Sequence, residues 1–482
     1  MRKLIKHKQL VFMLGIVCAA MMVVGLVVIP GCGKKEPVSR ETHGGIITWE
    51  DNRSGNIDIY AQRVNPAGSV QWTGDGVGIC TAPGDQKSPQ ITSDGSGGAV
   101  ITWEDNRSGN IDIYAQRVNP AGSVQWTADG VAICTDTGGQ YHPRITSDGS
   151  WGAIITWEDW RSGNIDTYAQ RVNGAGAVQW GGNGVAICTA SNDQFNPQIT
   201  TDGSGGAIIT WVDNRSGVHD IYAQRVNPAG SVRWTGNGVV ICTAPDSQHA
   251  PQITSDGSGG AIITWEDRRS GSGHIYAQRV DGAGAVRWTG NGVWICTDPG
   301  SQWAPKITSD GSGGAIITWA DNRLGSGDIY AQRVDGAGTV QWKPNGVAIF
   351  TASGNQEDPQ ITSDGSGGAI VTWNNWPFVE GNIYDIYAQR VDAAGTVMWT
   401  VDGVSICTDP NSQSAPQITS DGSGGAIVTW EDNRSGNGDI FAGNGDIYAQ
   451  RVDGAGASQW TGNGVAICTD SNDQYYPQIT SD

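Results

Sequence analysis

The chain has 482 residues, a formal net charge of −19, 71 glycines and 21 tryptophans, and only 16% of its residues are charged. That much negative charge repels phosphate backbones and anionic lipid headgroups, so nucleic acid is not expected as a partner. Abundant Gly and Trp with β-branched residues fit many short strands joined by tight turns, and no stretch beyond residue 31 sustains a helical apolar period.

The first element is residues 1–31. Arg2, Lys3, Lys6 and Lys8 precede an apolar run, Val11 to Pro30, that holds no charge. Gly31-Cys32 follows. This resembles a bacterial lipoprotein signal, which implies that Cys32 becomes the lipidated first residue. Ile29-Pro30-Gly31 departs from that family's pattern, because Pro is unusual before the final Gly. The alternative is an uncleaved signal-anchor, since about 20 apolar residues span a bilayer. Either way the basic end stays inside and the rest is exported, so membrane contact runs through the N-terminal anchor. Gly33 after the Cys, where an Asp would otherwise stand, resembles the outer-membrane sorting pattern of Gram-negative lipoproteins. Residues 32–43 read as a short tether.

Residues 44–482 are one repeat array. A Trp recurs at Trp49, Trp103, Trp157, Trp211, Trp265, Trp319, Trp373 and Trp430, a period of 54 residues that lengthens once to 57. A fixed period of this size signals a propeller or a solenoid. Each unit reads as four strands. Strand a is Pro251 to Asp256 in the fifth copy, followed by a Gly-rich hairpin turn; strand b is Ala261 to Asp267; strand c is Ile275 to Val280; and strand d is Gly292 to Thr297. Strands b and d are apolar at both alternating positions, which predicts sheets buried on both faces. The array enters at a b strand, Gly45 to Glu50, and stops after an a strand, Pro477 to Asp482. The strand count completes eight units only if those two pair. The expected fold is therefore all-β: an eight-bladed β-propeller of four-stranded antiparallel blades, closed by N-terminal strand b and C-terminal strand a. An open solenoid would call for atypical capping repeats, and none is seen.

The phrase P-Q-I-T-S-D-G … I-T-W-E-D-N-R-S-G … D-I-Y-A-Q resembles the repeat of TolB-like propellers. The turn around Asp281, Gly284 and Trp288 resembles the Asp-box turn of sialidase-like propellers and the Gly…Trp turn of quinoprotein repeats. It has one residue more than the Asp box and lacks its Ser. These resemblances imply a fold and leave the function open.

Repeated polar residues are weak candidates for chemistry, because one substrate needs one acid, one base and one nucleophile. Asp105, Arg107 and Arg117 recur in the other units and read as ion pairs within blades. The b–c loop after Asp105 lacks the ligand spacing of a calcium loop and reads as a capped turn. Cys80, Cys134, Cys188, Cys242, Cys296, Cys407 and Cys468 are an odd number of repeat cysteines, with Phe350 at the corresponding place in the remaining unit. They read as free, buried, apolar fillers. His142, His219, His249 and His274 show no metal-ligand spacing, so no metal or cofactor is expected.

Differences between repeats carry more information. After a recurrent Gln before strand a stand Lys87, Tyr141, Phe195, His249, Trp303, Glu357, Ser414 and Tyr475. The b–c loops vary on the same face: Trp160 replaces an Asn, and segments 374–384, with Trp376 and Phe378, and 436–446 are longer. Variation on one face of a rigid scaffold is expected of a binding face, and also of neutral drift at loop tips. The candidate ligand-binding residues are Tyr141, Trp160, Phe195, His249, Trp303, Trp376, Phe378 and Tyr475. The expected role is non-enzymatic surface binding or scaffolding, with a glycan or an envelope protein as partner. The alternative is a sialidase-like glycan-cleaving enzyme, which would show a unique acidic and basic cluster around the central channel.

Overall fold

The computed structural model describes residues 42–377, 383–435 and 445–482. Cys32, Phe378 and the inserted segment 436–444 lie outside the described residues. The described chain forms 32 strands in eight four-stranded antiparallel sheets. Blade 2 shows the plan: β4 (Gln86–Ser93), β5 (Ala99–Asp105), β6 (Asp112–Val118) and β7 (Val131–Cys134), hydrogen-bonded in that order. Blades 3 to 8 repeat it as β8–β11 (140–188), β12–β15 (194–242), β16–β19 (248–296), β20–β23 (302–350), β24–β27 (355–407) and β28–β31 (413–468). Blade 1 is assembled from both ends of the array. β1 (Gly45–Asp51), β2 (Asp58–Val64) and β3 (Val77–Cys80) receive β32 (Gln474–Ser481), whose Ile479 lies opposite Ile47. The innermost a strands touch their neighbours all the way round, β32 against β4 and so on to β28 against β32. They form the wall of a central channel.

Strand b is buried along its whole length, as in β1 and β9 (Ala153–Asp159), because blades cover it on both sides. Strand d departs from the expectation. Its last two residues are buried and its first packs half-buried against the wedge, but the second faces outward, leaving Trp294 63% exposed. As the outermost strand it has no blade beyond it. The apolar wedge between blades combines strands of both: Ile59, Ile79 and Cys80 of blade 1 meet Ile101, Trp103 and Val118 of blade 2.

A second Trp of each repeat makes the joint directional. Trp126 Nε1 donates to Gly174 O of the next blade at 3.1 Å, and Trp460 closes the circle onto Pro66 O at 3.0 Å. The indole also lies so close to the next blade's turn that a Cβ on Gly176 would stand 2.7 Å from it, so that position requires Gly.

The recurrent Asp and Arg form the expected ion pairs within blades, except that blade 7 has Asn375 at the position of Asp105. Asp105, fully buried, accepts from Trp103 Nε1 at 2.8 Å and from Arg107 Nε and Nη2 at 2.8 and 2.6 Å. Arg107 covers the Tyr114 ring at 4.0 Å. Arg117 pairs with Asp94 at 2.7 Å. The seven repeat cysteines are free and buried, and burial pushes the Cys80 thiol up to about 12. Their surroundings are less apolar than expected, since Cys80 Sγ lies 3.1 Å from Arg107 Nη2.

Candidate functional site

Strand a begins three residues earlier than the sequence suggests. The recurrent Gln and the variable residue after it belong to the strand: Gln140 lies opposite Asp159, and Tyr141 opposite Glu158. A bulge follows before pairing resumes at Arg144. At the bulge His142 takes φ 53°, and Ser88, Asn196, Ala250, Ala304, Asp358, Ala415 and Tyr476 take φ between 48° and 56°. A non-Gly residue held there costs about 1 kcal/mol. The variable positions are therefore not loop tips. They are strand residues at one mouth of the channel, held opposite strand b of their own blade.

The bulge turns its N–H toward the preceding blade. Glu50 Oε1 accepts from Ser88 N at 2.7 Å, Glu104 from His142 N at 2.8 Å, Glu158 from Asn196 N at 2.8 Å and Glu431 from Tyr476 N at 2.6 Å. Burial pushes Glu50 up to about 7 and raises Glu104 and Glu431. The corresponding residues elsewhere are Val212, Ala320 and Asn374, while Glu266 pairs with Arg268 at 2.9 Å.

Blade 3 holds the most distinctive group. Gly139, Tyr141, His142, Glu158 and Trp160 line a recess of about 410 Å³. His142 Nδ1 lies 3.0 Å from Glu158 Oε2, and that partner raises the His142 pKa. Trp160 is 43% exposed, while Tyr141 is half-buried. The indole therefore forms the outer wall and the phenol the inner one. Trp160 N donates to Gly139 O at 3.0 Å, which fixes the b–c loop against the d–a connection. These two residues stand together as the sequence places them.

Phe195, His249, Trp303 and Tyr475 hold the register position of Tyr141 in their own blades. Phe195 packs against the wedge between blades 4 and 5 and makes an edge contact with His219, with centroids 5.1 Å apart. His249 meets the same His219, Nδ1 to Nδ1, at 3.3 Å. Trp303 lines a separate recess of about 540 Å³ with Glu266 and Arg268. Trp376 packs on Tyr384 at 5.9 Å, and Tyr475 on Tyr476 at 6.3 Å. His219 was missed as a neighbour because it comes from the b–c loop of another blade. Glu104 and Glu158 were missed because their acceptor role crosses between blades. Trp151, 60% exposed on the opposite face, and Trp294 also carry no repeat-wide signal.

Deeper in the channel the a strands present Gln90, Arg144, Gln198, Gln252, Lys306, Gln360, Gln417 and Gln478 at one level. Arg144 and Lys306 break this ring of amides. Arg144 Nη1 donates to Pro143 O at 2.9 Å, and burial lowers the pKa of both cations.

No family model matches the chain, and no curated protein does. Among solved structures it is similar to a protein of unknown function from Dyadobacter fermentans at 12% identity, covering 63% of this chain and 93% of that one, with a TM-score of 0.39. It is similar to puromycin hydrolase at 14% identity, over 82% of this chain and 59% of that one, TM-score 0.45. An ulvan lyase of polysaccharide lyase family 25 shares 9% identity over 69% and 80% of the two chains, TM-score 0.43. None of the three informs the site, whose reading rests on its own geometry.

Proposed function

We propose that this is a non-enzymatic binding or scaffold protein of the cell surface, which engages a glycan or an envelope protein through the channel mouth on the b–c loop face. The observation that carries the reading is the recess of blade 3, where Tyr141 and Trp160 flank about 410 Å³ and His142 and Glu158 supply polar edges. Flat aromatic walls with a few fixed polar groups suit sugar faces or partner side chains. The site belongs to one blade of eight, so it selects a single orientation of its partner.

Glycan cleavage is the second reading, favoured by the asymmetric grouping of Tyr141, His142, Arg144, Glu104 and Glu158. Against it, both carboxylates already have structural duties: each accepts a backbone N–H of the next blade. An acid–base pair needs groups free to exchange protons with substrate.

The test is a glycan array and an envelope-protein pull-down with residues 44–482. Tyr141→Ala with Trp160→Ala is expected to weaken any partner by about 2 kcal/mol or more while leaving unfolding unchanged. Unaltered binding by the folded double variant overturns the site. Turnover of a captured glycan that is lost in Glu158→Gln would establish the second reading instead.

Export and tethering through Cys32 belong to the same proposal, as does kinship with TolB-like and Asp-box propellers, which rests on the repeat phrase. Metabolic labelling with a fatty acid is expected to mark the wild type and spare Cys32→Ser. Labelling of both would remove the lipid anchor from the reading.

A further inference from the structure

His219 and His249 come from the b–c loop of blade 4 and the a strand of blade 5. Six histidines stand in the whole sequence, so two in contact from different blades make an uncommon pairing. Their Nδ1 atoms are 3.3 Å apart and their rings nearly perpendicular, at 88°. That separation lies at the long end of a hydrogen bond from one ring's N–H to the other ring's nitrogen, the donor depending on the tautomers. It equals the distance between two nitrogens each bound at about 2.0–2.1 Å to one tetrahedral ion, which is about 3.3 Å. His249 lines a recess of about 350 Å³ that also includes Asp246, Ser247 and Arg268, so oxygen donors and water have access to its side of the pair. The Arg268 guanidinium is held by Glu266 at 2.9 Å, which moderates its repulsion of a cation.

We propose that His219 and His249 form a two-imidazole site for a late divalent transition metal, zinc, nickel or copper, with the remaining positions open to solvent or to an exogenous ligand. This does not rest on the binding role of blade 3. Imidazole suits these ions, and the hard cations calcium and magnesium are not expected to bind. Zinc titrated calorimetrically into residues 44–482 is expected to bind at one equivalent. Affinity should fall roughly tenfold or more in His219→Ala and in His249→Ala, and stay unchanged in His142→Ala. Circular dichroism checks that the variants fold. If a variant does not fold, copper(II) electron paramagnetic resonance of the wild type decides: two equivalent nitrogens support the site, and none or one overturns it. Absence of zinc binding, or binding unaffected by both substitutions, also overturns it.

A different observation carries a second inference. At the start of strand c seven blades hold Asp58, Asp112, Asp166, Asp220, Asp328, Asp385 and Asp446, and blade 5 holds His274. His274 Nδ1 bonds Gln302 Oε1 of the next blade at 2.7 Å. The Gln at the matching place after each Asp, from Gln86 to Gln474, has its Oε1 buried with no partner among the described residues. Asp58, Asp166 and Asp328 each have an unpartnered buried Oδ2 as well. Two oxygen acceptors stand where blade 5 has a donor and an acceptor. The structure assigns the missing donor to a proton: in its protonated form each Asp gives a hydrogen bond to the Gln of the following blade. Burial raises all seven carboxyls, Asp328, Asp385 and Asp446 to about 6. The charged groups nearest Asp328 are Asp321, which raises it further, and Arg323, which opposes. Around Asp446 they are Asp432 and Asp75 against Arg434.

A folded pKa above the unfolded one means that this contribution is complete below about pH 4 and lost as pH rises through about 6. Carboxyl carbon NMR of the folded protein is expected to show Asp328 titrating near 6, at least one unit above an ordinary Asp. Asp328→Asn, whose amide donates at every pH, should raise the urea midpoint at pH 8 and shrink its fall between pH 5 and 8. A normal titration of Asp328, or an Asn variant with wild-type pH dependence, overturns the assignment. So does a midpoint that rises with added calcium, because the bridging cation would then be a metal.

Discussion

The two halves of the ring solve the same joint differently. From blade 8 through blade 3, a glutamate of strand b reaches across the mouth and accepts the bulge N–H of the next blade. From blade 4 through blade 7 that tie is missing, because Val212, Ala320 and Asn374 replace the acid and Glu266 turns to Arg268. The apolar wedges are alike in both halves, with a strand-b Trp at the centre of each. The carboxylate is therefore not what makes the propeller. Where it is present, it fixes the mouth. Where strand b makes no such tie, it lies opposite Phe195, His249 and Trp303, and the histidine pair has formed.

The largest expected effect comes from removing what both halves share. Deleting Pro477 to Asp482 takes away most of the strand that pairs with β1. Cooperative unfolding should be lost, with aggregation through the exposed edge. An unchanged melting curve would show that closure contributes nothing.

Next comes Asp105→Ala, which leaves Trp103 Nε1 and the Arg107 guanidinium without their shared partner. Stranding a buried charge costs about 3–5 kcal/mol, read as a lower urea midpoint. The matching Asp213→Ala in the untied half should cost the same, because Arg215 and Trp211 repeat the arrangement. A clear difference between the two would mean that the tie supports the wedge.

Glu50→Gln separates the halves. Its folded pKa of about 7 lies above the usual carboxyl value. The sign is that stability is complete below about pH 4.5 and declines as pH rises through 7. The amide still accepts from Ser88 N and carries no charge. The variant should therefore lose part of the decline between pH 5 and 8, up to roughly 3 kcal/mol. Val212→Ala, made in the untied half, should leave the pH profile unchanged.

The repeat period, the four strands per blade and the closure were all legible in the sequence, because Trp49 and its copies mark one structural position. The mouth was only half legible. Tyr141 and Trp160 were placed together correctly, since b–c and d–a connections emerge on one side. The strand start was missed because Pro143 and its equivalents look like a boundary, whereas the left-handed residue before each forms a bulge inside the strand. The His219–His249 contact left no trace at any fixed spacing, because loop and strand of different blades supply the two rings. Strand d looked like a core strand by composition, but it lies at the rim.

The smallest expected effect tests one irregular turn. Trp151 takes φ 67° where blades 2 and 4 have Gly97 and Gly205. Trp151→Gly relieves about 1 kcal/mol of backbone cost. It also removes a contact with Arg117 at 6.0 Å, worth about 0.5 kcal/mol at an exposed site. A slight rise in melting temperature is expected, and a fall would show that the indole contributes more than its exposure suggests.

The seam between β32 and β1 also bears on heredity. Unequal exchange between repeats removes or adds whole repeat units, and so whole blades, wherever in the repeat it occurs. The seam is chemically the same afterwards, and every surviving Trp still finds a carbonyl in the next turn. What changes is the circumference, and with it the bore of the channel and the angle each wedge must fill. The sequence of one unit thus specifies the joint, while the number of copies specifies the pore. A lineage of such proteins can change its aperture by recombination in a single event, without inventing a new contact.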